Sequence, residues 1–290
     1  MKNGSFFTPR EHMQSFFNPA DMKGAEGLYV YWETDPIVAR RVLPPPLEPY
    51  SLEHPLAYAS VYIVREPGFS PWYMESCIGL YCRYRDIVGV YSLNFQLSGL
   101  NAQTAMFTGR EHSGLPKKMC ERITVERNDS FARAVVEAKG LRIFDVELEV
   151  GGSYNDPALA ELFKGKGPGY QERGPLLTFQ YDAAIQPGTR TTFPKMRLIN
   201  YDSVTDWRSW EPARINAIEM APSLDDPWAE VSVVRPLGAA YGSVQSNRVL
   251  GLSTLAEFEG EEADNLFSWL MTGFWDRSTI RPGAQRYGQF

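Results

Sequence analysis

Alternation of side chains with a period of two is the feature that most restricts how this chain can fold. In the segment 141–150, the apolar residues Phe144, Val146, Leu148 and Val150 alternate with a second set that is mostly acidic. Such a period is that of a β-strand with one buried face. Many short strands and few helices predict an antiparallel, barrel-like sheet. Further predicted strands cover residues 28–32, 57–64, 72–84, 87–97, 123–125, 131–136, 176–181, 196–201, 203–210, 215–220 and 230–234.

A few helices are expected at the periphery of this sheet, which makes the predicted class a β-rich α+β fold. Asp35 is a candidate N-cap, and Pro36 takes the first helical position after it. Asn101 is a second candidate N-cap, and Gly109 is the predicted stop of the helix that follows. The predicted helices cover residues 36–43, 101–107, 156–163 and 262–275.

The chain is expected to form one domain. No linker-like composition and no internal repeat divides its 290 residues, so the prediction is a single domain over residues 1–290. Within it, residues 1–24 are polar and irregular and form a predicted N-terminal arm. Residues 277–290 form a predicted polar C-terminal tail.

The charge balance argues against nucleic acid or an anionic membrane surface as a partner. Lys and Arg total 29 against 35 Asp and Glu, a net charge of −6, so no basic surface is expected. No apolar run reaches the length of a membrane helix, about 18 residues. The N-terminus also lacks the apolar core of a signal peptide. We therefore expect a cytoplasmic protein.

The sequence shows no signature of a metal or cofactor site. Three cysteines form no CxxC pair, and three histidines lack the spacing of metal ligands. GxGxxG, P-loop and GxSxG patterns are absent. The segment 151–174 is rich in glycine and lysine, but no helix start with GK[ST] follows it. Neither a metal nor a cofactor is expected.

Two adjacent lysines, Lys117 and Lys118, lie among apolar residues in the segment Gly109–Met119, a few positions after Arg110 and Glu111. Burial and a neighbouring cation both disfavour the ammonium form of lysine. A neutral lysine amine is a nucleophile for ketones. By spacing alone, an exposed lysine pair in a loop is the simpler interpretation, because lysine is rarely buried.

Glu75 is the candidate acid or base. By the period of two, it shares one face of the strand 72–84 with a cysteine, a glycine and a tyrosine. A carboxylate on such a face is unusual, although a strand-edge glutamate in water is an alternative interpretation. Farther along, a run of small residues surrounds Tyr241, which indicates a pocket floor.

The segment around the lysines resembles the GRE…PKK signature of the acetoacetate decarboxylase superfamily. It contains Gly109-Arg110-Glu111, then Gly114, Pro116 and the two lysines. The resemblance covers about residues 25–245. It implies an antiparallel barrel-like or cone-like sheet with a few peripheral helices, a cofactor-independent enzyme and a homo-oligomer. Further matching segments are Thr34-Asp35, Val42 to Glu48, Trp72 to Ser76, Met220 to Pro222 and Asp225 to Pro227.

The resemblance also implies residue roles. The first lysine of the family's pair forms a Schiff base with a ketone, and it corresponds to Lys117, with Lys118 beside it. Glu75 matches one of two pocket glutamates, whereas the second falls on Ser60. An arginine that holds the substrate carboxylate in the decarboxylases falls on Ala25. Losing that arginine removes a charge-assisted contact that neutral residues cannot replace.

These departures make the chain more similar to the aldolase-dehydratases of the superfamily, which condense pyruvate with aldehydes. The implied reaction is an iminium of Lys117 with pyruvate, proton transfer by Glu75 to give the enamine, attack on an aldehyde and loss of water. The expected partners are therefore a small keto acid and an aldehyde. The candidate substrate-binding residues are Tyr241, Ser60, Ser113, Arg110 and Glu111.

Two alternatives remain open. Decarboxylation of acetoacetate or another β-keto acid uses the same iminium, and Lys23 lies close enough to Ala25 in sequence to supply the missing cation. A non-catalytic keto acid-binding protein would keep the pocket without turnover.

Overall fold

The computed structural model describes residues 6–16, 21–68, 70–186 and 190–279. Most of these residues belong to one large β-sheet, and α-helices surround it. The strands are β1 (Asp21–Glu33), β2 (Glu48–Pro49), β3 (Leu56–Pro67), β4 (Tyr73–Tyr84), β5 (Ile87–Ser98), β6 (Lys117–Met119), β7 (Arg122–Asn128), β8 (Phe131–Ala138), β9 (Leu141–Val150), β10 (Gln171–Gln186), β11 (Arg190–Glu219) and β12 (Arg235–Glu259). The helices are α1 (Arg10–Phe16), α2 (Pro36–Val42), α3 (Ala102–Ser113), α4 (Leu159–Leu162) and α5 (Gly260–Phe274).

Seven of the strands close into a ring. Their order is β10-β5-β4-β3-β1-β12-β11, and β10 pairs with β11 to complete it. The long strand β11 also pairs with β9 from Ala213 onward, and β9, β8 and β7 continue from there as an antiparallel meander. Two pairings are parallel, β5 with β10 and β5 with β6. The predicted fold class, a β-rich barrel-like sheet with a few peripheral helices, is confirmed, and the parallel pairings are an addition to it.

The period of two gives the ring an inner and an outer face. On β1, Leu28 and Val30 belong to the main hydrophobic core, whereas Ala25, Tyr29 and Tyr31 belong to a second cluster and line a cavity. Helix α5 covers the main core with its apolar stripe, as its spacing predicts. The buried residues of that stripe are Ala263, Leu266, Phe267, Leu270, Gly273 and Phe274. The cavities described below therefore lie on the face opposite the main core.

The end of α3 differs from its prediction in a way that matters for the lysine motif. The helix continues through Gly109 to Ser113, and the residue that caps it is Gly114, whose φ is +67°. The Gly114 N–H donates to the Arg110 carbonyl at 3.2 Å. Gly114, rather than Gly109, is therefore the glycine that stops the helix, since only it adopts the left-handed conformation.

Other boundaries also shift. The predicted arm 1–24 contains α1 and the start of β1, so it is not irregular throughout. The predicted strand 230–234 is replaced by a 3-10 turn, Trp228–Glu230. Of the predicted tail, Arg277–Thr279 forms a 3-10 turn and residues 280–290 lie outside the described residues. No helix in the described ranges is long and apolar enough to cross a membrane. The single domain over 1–290 stays a prediction.

Candidate active site

Lys117 and Glu75 form a buried pair on the inner face of the ring. The Lys117 Nζ lies 2.6 Å from the Glu75 Oε2, and the two side chains are 6% and 4% exposed. Strand β5 lies between their strands, with Phe95 opposite Lys117 and Leu97 opposite Glu75. Phe95 and Leu97 are two residues apart, so they lie on the same face of β5. Their partners on the adjacent strands, Lys117 and Glu75, therefore lie on that face as well. A potential nucleophile and a proton acceptor are thereby held in direct contact.

Tyr62 fixes the second oxygen of Glu75. It lies directly opposite Glu75 on β3, and its hydroxyl donates to the Glu75 Oε1 at 2.6 Å. Burial, together with the charge of Glu75, raises the pKa of the Tyr62 phenol well above its ordinary value. The phenol therefore stays protonated and remains a donor. Sequence reasoning missed Tyr62, although the period of two places it on the same face as Ser60; the pairing of β3 with β4 is not visible in either segment alone.

Gly109 brings the backbone of α3 against the Lys117 side chain. A Cβ atom at Gly109 would lie 2.7 Å from both Cδ and Cε of Lys117. The Lys117 Nζ also lies 5.5 Å from the centroid of the Phe95 ring. The lysine stem is thus packed between a helix and an aromatic ring, with its amine directed at Glu75.

The pair lines a cavity of about 430 Å³, which we call the lysine cavity. Its walls are mostly apolar, and its polar lining includes Thr108 and Ser113 from α3 and Asn247 from β12. The apolar and aromatic lining includes Met22, Tyr62, Tyr73, Phe95, Ala105, Leu115, Leu176, Tyr201, Val249, Leu250 and Leu252. Among the described residues, no arginine lines it.

A second cavity of about 230 Å³, which we call the tyrosine cavity, adjoins the first. The two share Met22, Tyr62 and Asn247 as wall residues. Ala25 and Ser60 both line the tyrosine cavity. The Ser60 hydroxyl lies 3.2 Å from the Cys77 sulfur. The two positions at which the sequence departs from the decarboxylase pattern therefore line the same cavity, and this cavity adjoins the lysine cavity.

Lys118 points away from both cavities. Its Nζ lies 2.5 Å from the Asp226 Oδ1 and donates to the Asp225 carbonyl at 2.7 Å and to Asp276 at 3.2 Å. Adjacent residues of a strand face opposite sides of the sheet, which separates the two lysines. The expectation that Lys118 acts as a neighbouring cation in the site is therefore corrected: the charged contact of Lys117 is Glu75, and Lys118 has carboxylate partners of its own.

Of the predicted substrate-binding residues, Ser113 lines the lysine cavity and Ser60 the tyrosine cavity. Tyr241 faces the main core instead, where its hydroxyl donates to Glu26 and the Arg127 guanidinium lies 4.4 Å from its ring. Tyr241 is thus outside both cavities, because the small residues around it pack the sheet rather than a pocket.

The two charged residues of the signature also lie outside the cavities. The Arg110 guanidinium packs 5.4 Å from the Phe274 ring centroid and 4.9 Å from that of Trp275. Glu111 is exposed on α3. Lys23, considered as a substitute for the missing arginine, is exposed and pairs with Asp21 at 3.4 Å. In the described part of the chain, no three His, Cys, Asp or Glu side chains are grouped so that they could hold a metal ion.

Comparison with known proteins identifies the family. The model of the family "Acetoacetate decarboxylase (ADC)" matches residues 5–255. Over 289 residues, the chain is 29% identical to a Lactiplantibacillus plantarum protein named "CLA biosynthesis isomerase", a match that covers 98% of this chain and 99% of that protein.

Two solved structures share the fold. An acetoacetate decarboxylase from Legionella pneumophila has a TM-score of 0.61 at 14% identity, covering 83% of this chain and 88% of that one. The enduracididine biosynthesis enzyme MppR, complexed with the condensation product of pyruvate and imidazole 4-carboxaldehyde, has a TM-score of 0.62 at 17% identity, covering 87% and 95%. The resemblance found in the sequence is confirmed, because the family model spans most of the chain. This protein belongs to the acetoacetate decarboxylase family.

Proposed function

We propose that this protein is a Schiff-base enzyme that moves a double bond in an unsaturated ketone from the β,γ to the α,β position. The observation that carries the proposal is the Lys117–Glu75 pair, 2.6 Å apart in a largely apolar cavity that no described arginine lines. A relative that matches nearly the whole chain is named an isomerase, which supports this class of reaction.

The reaction begins within the ion pair. Transfer of a proton from the Lys117 ammonium to Glu75 across their 2.6 Å contact gives a neutral amine, which is the form that attacks a ketone. The amine attacks the ketone carbon, and the carbonyl oxygen leaves as water after it has taken up protons, the last of them from Glu75. The product is an iminium on Lys117, with Glu75 again a carboxylate.

Two proton transfers then move the double bond. The iminium withdraws electrons from the α carbon, so Glu75 can remove a proton from the carbon between the iminium and the double bond. The resulting dienamine takes up a proton at the γ carbon from the Glu75 carboxyl, whose proton has exchanged with water in the meantime, which gives a conjugated iminium. Water hydrolyses it, releasing the α,β-unsaturated ketone and restoring Lys117. Tyr62 holds Glu75 by its other oxygen throughout.

Ketones with an adjacent carboxylate fit the lysine cavity less well. Pyruvate and acetoacetate carry their carboxylate one or two carbons from the reacting carbonyl, so they need a cation or several donors beside Lys117. The described wall offers no arginine there, and its polar groups include the His112 ring and the hydroxyls of Thr108 and Ser113. These hydroxyls favour aldol condensation-dehydration of pyruvate as the second candidate, since they can donate to a small carboxylate and the Lys117–Glu75 pair can form its enamine. A cytoplasmic location and a homo-oligomer are part of the proposal as well.

A direct test is incubation with a straight-chain β,γ-unsaturated ketone. We expect the absorbance of the conjugated enone to appear and, in D₂O, deuterium to enter at the γ carbon. Borohydride should trap the ketone on Lys117, as located by peptide mapping. Lys117→Arg should abolish both signals, whereas Lys164→Arg, at an exposed lysine that is 77% accessible, should leave them unchanged.

The other possible results of these experiments would each favour a different function. Absence of a Lys117 adduct with every ketone tried would reject the Schiff-base mechanism. An adduct without isomerisation, together with product from pyruvate and an aldehyde, would favour the aldolase-dehydratase. Rapid release of carbon dioxide from acetoacetate would favour decarboxylation. Tight ketone binding by Lys117→Ala, with no turnover by the unaltered protein, would indicate a binding protein.

A further inference from the structure

A second lysine, Lys166, is buried in the wall of the tyrosine cavity. Its side chain is 5% exposed, and its Nζ lies 2.8 Å from the Glu172 Oε2, its one ion-pair partner within the described ranges. Three aromatic rings surround the ammonium, with centroids 4.8 Å (Phe163), 5.0 Å (Trp207) and 4.5 Å (Trp210) away. The faces of the three rings attract the cation through cation–π interactions. They leave donors of the ammonium unused, because it has three and Glu172 accepts one.

The walls beside Lys166 carry the chemistry of an anion site. Besides Tyr62, four tyrosines line the cavity with it, Tyr29, Tyr31, Tyr58 and Tyr81. Burial raises the pKa of each phenol above its ordinary value, so these hydroxyls remain donors. A cavity whose walls carry a cation and several phenol groups is suited to an oxyanion, whose oxygens accept several hydrogen bonds.

Glu172 leaves room for such a ligand. Its Oε2 already accepts from the Trp207 Nε1 at 2.9 Å as well as pairing with Lys166. Its side chain is 36% exposed, so the charge of Glu172 is partly solvated while that of Lys166 is not. Burying a cation without a full set of partners costs free energy. A bound carboxylate would offset part of that cost.

We propose that the tyrosine cavity binds a carboxylate at the far end of the substrate, with Lys166 as its cation, while the ketone reaches Lys117 in the adjoining lysine cavity. This inference rests on the proposed function and narrows its substrate class to unsaturated keto acids whose carboxylate is remote from the ketone. The wall residues common to both cavities, Met22, Tyr62 and Asn247, mark where the substrate chain passes.

The role of Glu172 distinguishes this site from a purely structural ion pair. A substrate carboxylate shares Lys166 with Glu172, and like charges near one another repel. Replacing Glu172 with glutamine removes the repulsion but keeps the shape of the side chain. Binding of a keto acid should therefore become tighter in Glu172→Gln, whereas loss of a structural pair would leave it unchanged or weaken it.

The experiment uses a β,γ-unsaturated keto acid whose carboxylate is remote from the ketone, and its methyl ester. For each compound it measures the ligand concentration at which borohydride trapping at Lys117 is half-saturated. Lys166→Met should raise this concentration roughly tenfold for the acid and leave the value for the ester unchanged. Glu172→Gln should lower the value for the acid alone. Lys164→Met, at the exposed lysine two positions earlier, is the matched control and should change neither.

Equal effects of Lys166→Met on acid and ester would overturn the inference. If that variant does not fold, as judged by its thermal unfolding, Glu172→Gln decides, and unchanged or weaker binding of the acid overturns it. If the unaltered protein forms no adduct with either compound, the proposed function fails. The carboxylate site is then tested by calorimetry with decanoate, whose binding should still depend on Lys166 and whose failure to bind would overturn the site independently.

Discussion

Gly109 is the residue at which the smallest change should have the largest effect on Lys117. The added methyl group of Gly109→Ala would lie 2.7 Å from Cδ and Cε of the lysine and must displace them. A misplacement of about 1 Å can reduce the rate about 100-fold. The free energy of unfolding should change by no more than about 2 kcal/mol, because the helix preference of alanine offsets part of the crowding. The rate of borohydride trapping and denaturant unfolding measure the two effects separately.

A matched control for this prediction is Gly152→Ala. No atom lies within 4 Å of the Cβ that would be added there, so both trapping and stability should be kept. Trapping by Gly109→Ala at the rate of the unaltered protein would show that the lysine reaches its ketone without the packing of α3.

Tyr62 is the residue whose loss should affect proton transfer alone. Tyr62→Phe removes the 2.6 Å hydrogen bond to Glu75 and keeps the ring. A hydrogen bond to a charged group contributes about 1.5–3 kcal/mol, so turnover should fall roughly 10-fold to 100-fold. Steady-state kinetics with the unsaturated ketone test this, with Tyr91→Phe in the main core as the control. A fall in ketone affinity with unchanged turnover would contradict a role in orienting Glu75.

The residues of the site differ in how far the sequence could predict them. Lys117 and Glu75 stand out because each is a charged residue in an apolar pattern. Tyr62 and Lys166 do not, because a tyrosine in a strand is ordinary and Lys166 lies in a glycine-rich segment typical of exposed loops. The burial of Lys166 depends on Trp207 and Trp210, about forty residues away in sequence, and no local pattern encodes that contact.

At the scale of the element, the three-residue strand β6 determines what the lysine pair can do. It places Lys117 on the inner face and Lys118 on the opposite one, where Gln96 donates to the same Asp226 oxygen that pairs with Lys118. The strand β6 is absent from the predicted strands, so alternation was not applied to the two lysines. The two lysines were predicted to be neighbouring cations because they are adjacent in sequence. Adjacent residues of a pleated strand, however, face opposite sides of the sheet.

Lys118→Met should therefore affect stability rather than chemistry. Removing one partner of a buried ion pair leaves the other uncompensated and costs about 3–5 kcal/mol. Denaturant unfolding should show this loss, while the folded variant still forms the Lys117 adduct. Lys164→Met, whose partner Glu161 is exposed, should cost little. Loss of the adduct in well-folded Lys118→Met would instead place Lys118 in the chemistry.

The longest strands show why element boundaries were partly beyond sequence reasoning. Strand β11 runs continuously over Arg190–Glu219, where the pattern predicts three separate strands. Its pairing with β12 shifts register between Asp202 and Ser203 and again between Asp206 and Trp207. Each shift interrupts the alternation without ending the strand. A bulge therefore resembles a break when only the sequence is read.

At the scale of the whole molecule, ring closure creates the cavities. The number and alternation of strands predict a barrel-like sheet, but closure depends on β10 pairing with both β5 and β11. The pairing of β5 with β10 joins segments about eighty residues apart in sequence, whereas β10 and β11 form a hairpin. Local periodicity carries no information on such long-range pairing, so the position of the site inside the ring was not predictable from the pattern.

The tyrosines enclosed by this fold should make the protein sensitive to alkali. Burial raises the pKa of each above the ordinary value of 10.0. A raised pKa in the folded state contributes stability that is complete below pH 10 and is lost as the pH rises further. We expect cooperative unfolding above pH 10, with tyrosinate absorbance and far-ultraviolet circular dichroism changing together. A rise in tyrosinate absorbance beyond that of the exposed Tyr50 and Tyr170, with native circular dichroism, would show that these phenols ionise inside the folded ring. The residues concerned are Tyr29, Tyr31, Tyr58, Tyr62, Tyr73, Tyr81, Tyr91 and Tyr201.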